Sequence, residues 1–197
     1  MRLAFALLLI PVVALAAPAD KPAPLKPWPG NPPAKPAPAP TQDQLFAQLK
    51  KAESAEDAKP IEEKLALMFR ASGSASVDLL MTRVRAEQAA QDSKTAKKLI
   101  DTVTKIAPGY AEGWHEKAAM EAAADDDTNA LISLQKTIAL NPRNFTARVE
   151  LGEMLEDYGD KKGALAQFRA ALDVDPTLEL ATRKVKELTV AVEGRDI

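Results

Sequence analysis

Apolar side chains recur at intervals of three and four residues through most of the chain after residue 40, which is the spacing of one helix face. Between residues 145 and 178 two such stripes follow each other, the first ending at Gly159 and the second at Pro176. The pattern predicts two helices, with Gly159 as a left-handed cap between them. The stripes are Val149, Leu151, Met154, Leu155 and Tyr158, then Ala164, Leu165, Phe168, Ala171 and Leu172.

This two-helix pattern returns every 34 residues. Pro108, Pro142 and Pro176 are spaced by 34, and four further columns share the register. They are Ala96, Ala130 and Ala164; Leu80, Trp114 and Arg148; Ile100, Leu134 and Phe168; and Ile106, Leu140 and Val174. A fixed period of this size indicates helical hairpins that bury their apolar faces on their neighbours. The sequence therefore predicts an all-α solenoid with three such units in residues 77–178.

Both flanks of the repeated region are also predicted to be helical. Thr41 and Gln44 form a capping box that opens one helix, and a second helix runs from Asp57 to Arg70 with Pro60 in its first turn. Because residues 41–76 are off the 34-residue register, we interpret them as an N-terminal helical pair that is either an end cap or a degenerate repeat. Residues 179–197 are interpreted as a C-terminal capping helix and tail, which repeat arrays need for solubility.

The register resembles that of the tetratricopeptide-repeat family, whose pattern is W-x2-L-G-x2-Y, then A-x3-F, then P. Residues 145–178 match at Leu151, Gly152, Ala164, Phe168 and Pro176, with Arg148 in the place of the Trp and Leu155 in that of the Tyr. Residues 111–144 match at Trp114, Ala130 and Pro142 and depart from the pattern at Lys117 and Glu121. The resemblance implies a curved array of helical hairpins that binds another macromolecule.

The first sixteen residues have the three parts of a secretory signal. Arg2 precedes an apolar run that is shorter than the ~20 residues a membrane span needs, and Ala14 and Ala16 are small residues suited to signal cleavage. We expect residues 1–16 to be a signal peptide cleaved after Ala16, with a retained membrane anchor as the alternative. The expected location is the periplasm of a Gram-negative bacterium, with no membrane span after cleavage.

Residues 17–40 are predicted to be a disordered, proline-rich linker. Ten of the residues from Pro18 to Pro40 are proline, which removes backbone donors and favours extended polyproline II. Four of the 26 basic residues and one of the 28 acidic residues lie in residues 1–40, so residues 41–197 carry a formal net charge of −5. A passive spacer is the favoured interpretation, and Trp28 keeps open the alternative of a docking segment.

Few residues in the chain could perform chemistry. It contains no cysteine and a single histidine, His115, so neither a thiolate metal site nor a histidine pair can form. Ser133 and Lys136 match an S-x-x-K motif only by letter, and Asp125–Asp127 lacks the Gly and Glu of a calcium loop. A formal net charge of −2 without a basic segment argues against nucleic-acid binding. We expect a non-enzyme without a cofactor or metal.

The concave face of such an array is lined by the first helices of successive units. A surface with short apolar side chains and glutamates there suits an apolar or basic segment of a protein partner, helical or extended. His115 is expected to be exposed on this surface, and the alternative is that the surface is only solvated. The candidate partner-binding residues are Met81, Arg85, Glu112, His115, Ala119, Ala122, Val149, Glu153 and Glu156.

The function expected from these features is a non-catalytic interaction or scaffold module in the bacterial cell envelope. The alternative is a structural accessory subunit of an envelope enzyme or of a secretion or assembly complex.

Export makes a direct prediction about the mature N-terminus. Because Ala14 and Ala16 occupy the small-residue positions of a cleavage site, N-terminal sequencing of the envelope form should begin at Ala17. A mature protein that still begins at Met1 would contradict it.

Overall fold

The computed structural model describes residues 39–194, and all regular structure in that range is helical. The predicted signal peptide, nearly all of the predicted linker and the last three residues lie outside the described residues. The helices are α1 (Gln42–Leu49), α2 (Ala55–Arg70), α3 (Ala75–Ala89), α4 (Ser93–Ile106), α5 (Ala111–Ala122), α6 (Asp127–Leu140), α7 (Phe145–Asp157), α8 (Lys161–Leu172) and α9 (Glu179–Glu193).

Helices α3 to α8 form the three predicted hairpins. The closest packing is within the pairs α3–α4, α5–α6 and α7–α8, and each pair packs on the next through α4–α5 and α6–α7. Helix α9 packs on α8 and buries Ala181 and Leu188, as expected of a C-terminal cap. The all-α repeat architecture predicted from the 34-residue period is confirmed.

A close approach of two paired helices brings Gly152 of α7 against Phe168 of α8. A Cβ atom placed on Gly152 would lie 2.9 Å from Cε1 of Phe168, closer than side chains normally approach. The Phe168 ring is completely buried. Gly159, between the two helices, has a φ of +83°, the left-handed conformation that a glycine adopts at little cost.

The Trp-to-Arg exchange in the repeat register preserves one hydrogen bond. Trp114 Nε1 donates to the carbonyl oxygen of Pro108 at 3.0 Å, and Arg148 Nε donates to that of Pro142, also at 3.0 Å. Both bonds connect the first turn of a hairpin to the proline that ends the preceding one. Arg148 can therefore replace the family's Trp because it supplies the same donor.

The N-terminal pair is helical as predicted, with the capping box of Thr41 and Gln44 fully formed. Helix α2 begins two residues earlier than predicted because the Ser54 side chain accepts from the backbone N–H of Asp57. Pro60 therefore lies in the second turn, where its missing N–H leaves one helix carbonyl without its usual donor.

The α1–α2 pair does not stack on the first repeat as an end cap would. Its buried residues form one cluster with Phe145 of α7 and Ala171 of α8, and Val149, Val174 and Leu178 pack against that cluster. Leu79 on α3, which a preceding hairpin would cover, is 71% exposed. The buried residues of the pair are Leu45, Phe46, Leu49, Ala58 and Leu65.

Polar contacts join the α1–α2 pair to the connections between successive hairpins. Asp43 of α1 pairs with Arg143 at 2.7 Å, and the Arg143 guanidinium lies 4.2 Å from the ring centroid of Phe46. At the far end of α2, the backbone carbonyl of Arg70 accepts from the Tyr110 hydroxyl at 2.7 Å. The chain thus runs back from the third repeat to the second before α3 begins the array.

Because Phe168 is fully buried against Gly152, Phe168→Ala should lower the free energy of unfolding by about 3–5 kcal/mol. Gly152→Ala should cost about 1–3 kcal/mol by overpacking the same contact. Denaturant unfolding followed by circular dichroism measures both. Val190→Ala is the control, since Val190 is 48% exposed, and a Phe168→Ala midpoint equal to that of Val190→Ala would contradict the assigned packing.

Candidate functional site

The predicted partner-binding residues fall into columns spaced by 34 residues on the first helices of the three hairpins. One column is Met81, His115 and Val149, and the next, one turn further along each helix, is Arg85, Ala119 and Glu153. The first of these columns is covered by the protein itself, and the second is open to solvent.

Met81 is not a surface residue. Its side chain is completely buried in the cluster of the first hairpin with Val77, Val84 and Ile100. Tyr110, whose hydroxyl is bonded to the end of α2, packs against the same cluster. The sequence prediction that Met81 is accessible was wrong because it used the repeat register alone. The register does not indicate which other parts of the chain pack over a residue.

Val149 also differs from its predicted place on an open groove. It is half-buried and packs against the cluster that contains Leu45, Phe46 and Leu49 of α1. The N-terminal pair therefore covers the first-helix surface of the third hairpin, and a partner cannot contact Val149 while α1 remains there.

His115 is mostly buried and connects two hairpins, so the expectation of an exposed His115 was wrong. Its Nε2 lies 2.8 Å from Oε2 of Glu150 on α7, and its Nδ1 lies 3.6 Å from Oε2 of Glu112 on α5. Burial opposes protonation of the ring, but the hydrogen bonds and negative charges of the two glutamates outweigh it and raise the pKa of His115 to about 10. His115 is therefore a cation that bridges α5 and α7 near neutral pH.

Four of the predicted residues remain accessible and form one strip, which we call the open strip: Arg85, Ala119, Ala122 and Glu153. Ala119 and Ala122 are exposed, and Arg85 and Glu153 are partly exposed. Glu156, at the end of the strip, is paired with Lys184 of α9 at 2.9 Å. Its charge is thus partly neutralised by a contact within the protein, which the sequence prediction of Glu156 as a partner-binding residue did not include.

A cleft of about 460 Å³ adjoins the open strip between the first and second hairpins. Ala119, Met120 and Ile100 contribute apolar lining, and Lys97 and Lys117 bring cationic groups to it. A cleft of this size falls within the range of about 300–1,000 Å³ that is usual for ligand pockets. The open strip and this cleft together are the candidate functional site.

Glu121 explains the departure from the repeat pattern at that position. Its buried carboxylate accepts a hydrogen bond from Ser133 Oγ at 2.6 Å, and Lys117, which pairs with Asp101 at 2.7 Å, lies 3.7 Å from its other oxygen. This network joins α4, α5 and α6 and satisfies a carboxylate that burial would otherwise disfavour. In the sequence, the signal for this network was the spacing of Lys117 and Glu121, which lie four residues apart and so share one helix face.

Ser133, the residue of the S-x-x-K match, is 2% exposed. Within residues 39–194, no group of three or more histidine, aspartate or glutamate side chains is placed to hold a metal ion. Over the same residues, no helix combines the length and apolarity that a bilayer crossing requires.

Comparison with known proteins identifies similar repeat proteins. No family model matches the chain. It is 27% identical over 154 residues to a TPR repeat-containing protein of Rhizobium etli, covering 77% of this chain and 74% of that protein. The crystal structure of MamA superposes with a TM-score of 0.55 at 17% identity, over 77% of this chain and 82% of that one.

A second solved structure shows a repeat protein of the same fold with its ligand. The type III secretion chaperone SycD of Yersinia enterocolitica, in complex with a peptide of the translocator YopD, superposes with a TM-score of 0.54 at 10% identity. The superposition covers 60% of this chain and 95% of that one. At this identity the similarity establishes the fold.

The ion bridge at His115 predicts a pH-dependent stability. Because folding raises the pKa of His115 from 6.5 to about 10, its stabilisation is complete below pH 6.5 and is lost as the pH rises to about 10. His115→Gln should therefore cost about 1.5–3 kcal/mol at pH 6, and less at pH 10. Denaturant unfolding at both pH values measures this difference.

The titration can also be followed directly, because the chain has one histidine and hence one set of imidazole NMR signals. The ring should remain protonated at pH 8. Lys161→Gln, at an exposed position, is the control for loss of one positive charge. An imidazole that titrates near pH 6.5 in the folded protein would rule out the bridge.

Proposed function

Because this chain is a tetratricopeptide-repeat protein, we propose that it is a non-catalytic binding module that holds a segment of another protein against the open strip of its first helices. The observation that carries the proposal is the strip itself. Ala119 and Ala122 are exposed and lie three residues apart on α5, and Ala119 also lines the 460 Å³ cleft.

The shape and chemistry of the strip suit a peptide segment. Two alanines leave room for a backbone to approach α5, while the adjacent cleft can receive one side chain of the segment. The strip is carried by helices packed in rigid hairpins, so little ordering cost is expected on the protein's side of the complex. SycD, a protein of the same fold, is known with a bound peptide.

The side chains that catalysis would need are engaged elsewhere. His115 is held between Glu112 and Glu150 as a cation and cannot accept a proton near neutral pH. Ser133 is buried and donates its hydroxyl hydrogen to Glu121. These contacts support a binding role over an enzymatic one.

The proposed place of action is the bacterial cell envelope. Its support is the amino-terminal sequence, in which Arg2, a short apolar run and the Ala14/Ala16 pair match a secretory signal. In the sequence, the residues that follow the proposed cleavage site are rich in proline.

One feature favours a structural accessory role as the second candidate. Leu79 and Arg83 lie on the face of α3 that a preceding hairpin would cover, and they are 71% and 66% exposed respectively. A subunit stacked on this end of the array would extend the solenoid. In that case the partner contacts α3 and leaves the open strip free.

Photo-crosslinking in living cells distinguishes the two candidates. A photoreactive amino acid at Ala119 or Ala122 should give a covalent adduct with the partner, whereas one at Leu79 should not. Ile132, which lies on the second helix of its hairpin and is 56% exposed, is the background control. Adducts from Leu79 alone would support the accessory subunit and reject the open strip.

Substitution of the strip should abolish binding without unfolding the protein. Ala119→Lys combined with Ala122→Lys places two long cations where the segment would lie, so the affinity for the crosslinked partner should fall at least tenfold, or about 1.4 kcal/mol. Both alanines are exposed, so the free energy of unfolding should change by no more than about 1 kcal/mol. Unchanged affinity in isothermal titration calorimetry would contradict the proposal.

A further inference from the structure

The cleft beside the open strip lies where the second hairpin departs from the repeat pattern. Two of its lining residues, Lys117 and Glu121, stand at the Leu and Tyr positions of that pattern. In the third hairpin the same two positions hold Leu151 and Leu155, which pack together with other apolar residues. The second hairpin therefore lacks two apolar side chains that the third hairpin has.

The polar side chains at these two positions are fixed by contacts with neighbouring helices. Lys117 Nζ lies 2.7 Å from Oδ1 of Asp101 on α4, and Glu121 accepts a hydrogen bond from Ser133 on α6 at 2.6 Å. Both side chains are thus held in place before any ligand arrives. The cleft is preformed, so its occupation requires little ordering of the protein.

Apolar groups make up much of the remaining lining. Ile100 is 1% exposed and belongs to the core cluster of the first hairpin, and Met120 packs against the same cluster. Ala119, Ala123 and Ala124 add exposed methyl groups. An apolar group that enters the cleft leaves water for these neighbours, and the flexible Met120 side chain can adapt to its shape.

The charges of the lining cancel. Two lysines, Lys97 and Lys117, stand against two carboxylates, Glu121 and Asp126. Lys117 lies 3.7 Å from Glu121, and Asp126 accepts a hydrogen bond from the Asn129 side-chain amide at 2.8 Å. A charged group entering the cleft would lose hydration without meeting a net opposite charge, whereas an uncharged apolar group has no such cost.

We propose that this cleft takes one large, uncharged apolar side chain of the partner segment, in place of the apolar side chains that the second hairpin lacks. The inference rests on the proposed function, because the segment that carries this side chain is the one on the open strip. Ala119 belongs to both the strip and the cleft, so a segment on the strip passes the mouth of the cleft. The partner is therefore recognised by an apolar anchor residue.

Titration with small probes tests the chemistry of the cleft in the full chain without a partner. The chain has five methionines, and ¹³C labelling of their methyl groups gives a signal at the cleft from Met120. Met154, 34 residues later, gives the control signal from the third hairpin. N-acetyl-phenylalaninamide should shift the Met120 signal saturably and leave the Met154 signal unchanged. N-acetyl-lysinamide and the α-amide of N-acetyl-aspartate should bind at least about tenfold more weakly.

One pair of variants places the probe in the cleft. Ala119→Phe adds a large side chain at the mouth of the cleft, so it should weaken binding of N-acetyl-phenylalaninamide at least about tenfold. Ala122→Phe adds the same side chain at an exposed position of the same helix, outside the lining, and should leave the binding unchanged. Equal affinity in the two variants would overturn the proposed site.

A second pair of variants tests the origin of the cleft. Lys117→Leu combined with Glu121→Tyr restores the repeat pattern, so the protein's own side chains should fill the cleft and abolish the shift at Met120. Lys64→Leu combined with Glu63→Tyr makes the same exchanges at exposed positions of α2 and is the control. Circular dichroism verifies that each variant is folded, and if the restored variant is not, the Ala119→Phe result decides.

The other outcomes of the titration are equally decisive. No saturable shift at Met120, equal shifts at Met120 and Met154, or equal binding of the charged probes would each overturn the inference. A Met120 signal that moves when the protein alone is diluted would assign the cleft to a second copy of the chain, which also overturns it.

The inference and the proposed function fail separately. The variant with the restored repeat pattern leaves Ala119 and Ala122 in place, and it should weaken the crosslinked partner at least about tenfold in isothermal titration calorimetry. Unchanged affinity for the partner would overturn the anchor and leave the open strip intact. Absence of crosslinks from Ala119 and Ala122 would instead reject the proposed function, and with it the partner segment that carries the anchor.

Discussion

The structure depends on the close approach of the two helices in each hairpin, which requires a small side chain on one helix opposite a large one on the other. The three hairpins satisfy this requirement with compensating sizes: Val84 with Ile100, Ala118 with Leu134, and Gly152 with Phe168. The smallest of the first-helix residues, Gly152, faces the largest of the second-helix residues, Phe168. Close packing at this column keeps the hairpins similar enough to stack.

Most of the repeat architecture could be predicted from the sequence because it depends on local periodicity. The Thr41 capping box, the Gly159 turn and burial of Phe168 all follow from residues a few positions apart. The position of α1 and α2 could not be predicted in this way. It depends on contacts such as that between Asp43 and Arg143, which lie 100 residues apart and leave no periodic signal.

The candidate site shows the same division. The 34-residue register correctly placed Ala119 and Ala122 on an accessible surface, because direction on a helix follows from spacing. It misplaced Met81 and Val149 because register does not say what covers a surface. The complete burial of Asp175 was also beyond reach, since it is an ordinary acidic residue in the sequence.

The path of α2 has a mechanical consequence. In a repeat array each hairpin contacts only its neighbours. Small movements at each contact between hairpins therefore add up, and the whole array can bend and stretch. The end of α2 is hydrogen-bonded to Tyr110, and its buried Ala58 and Leu65 share a cluster with Phe145 against which Leu178 packs. The helix therefore spans the starts of α5, α7 and α9. It packs across the connections between successive hairpins. The second and third hairpins should therefore resist extension as one stiff unit, while the first hairpin, which α2 does not cross, remains the compliant end of the molecule.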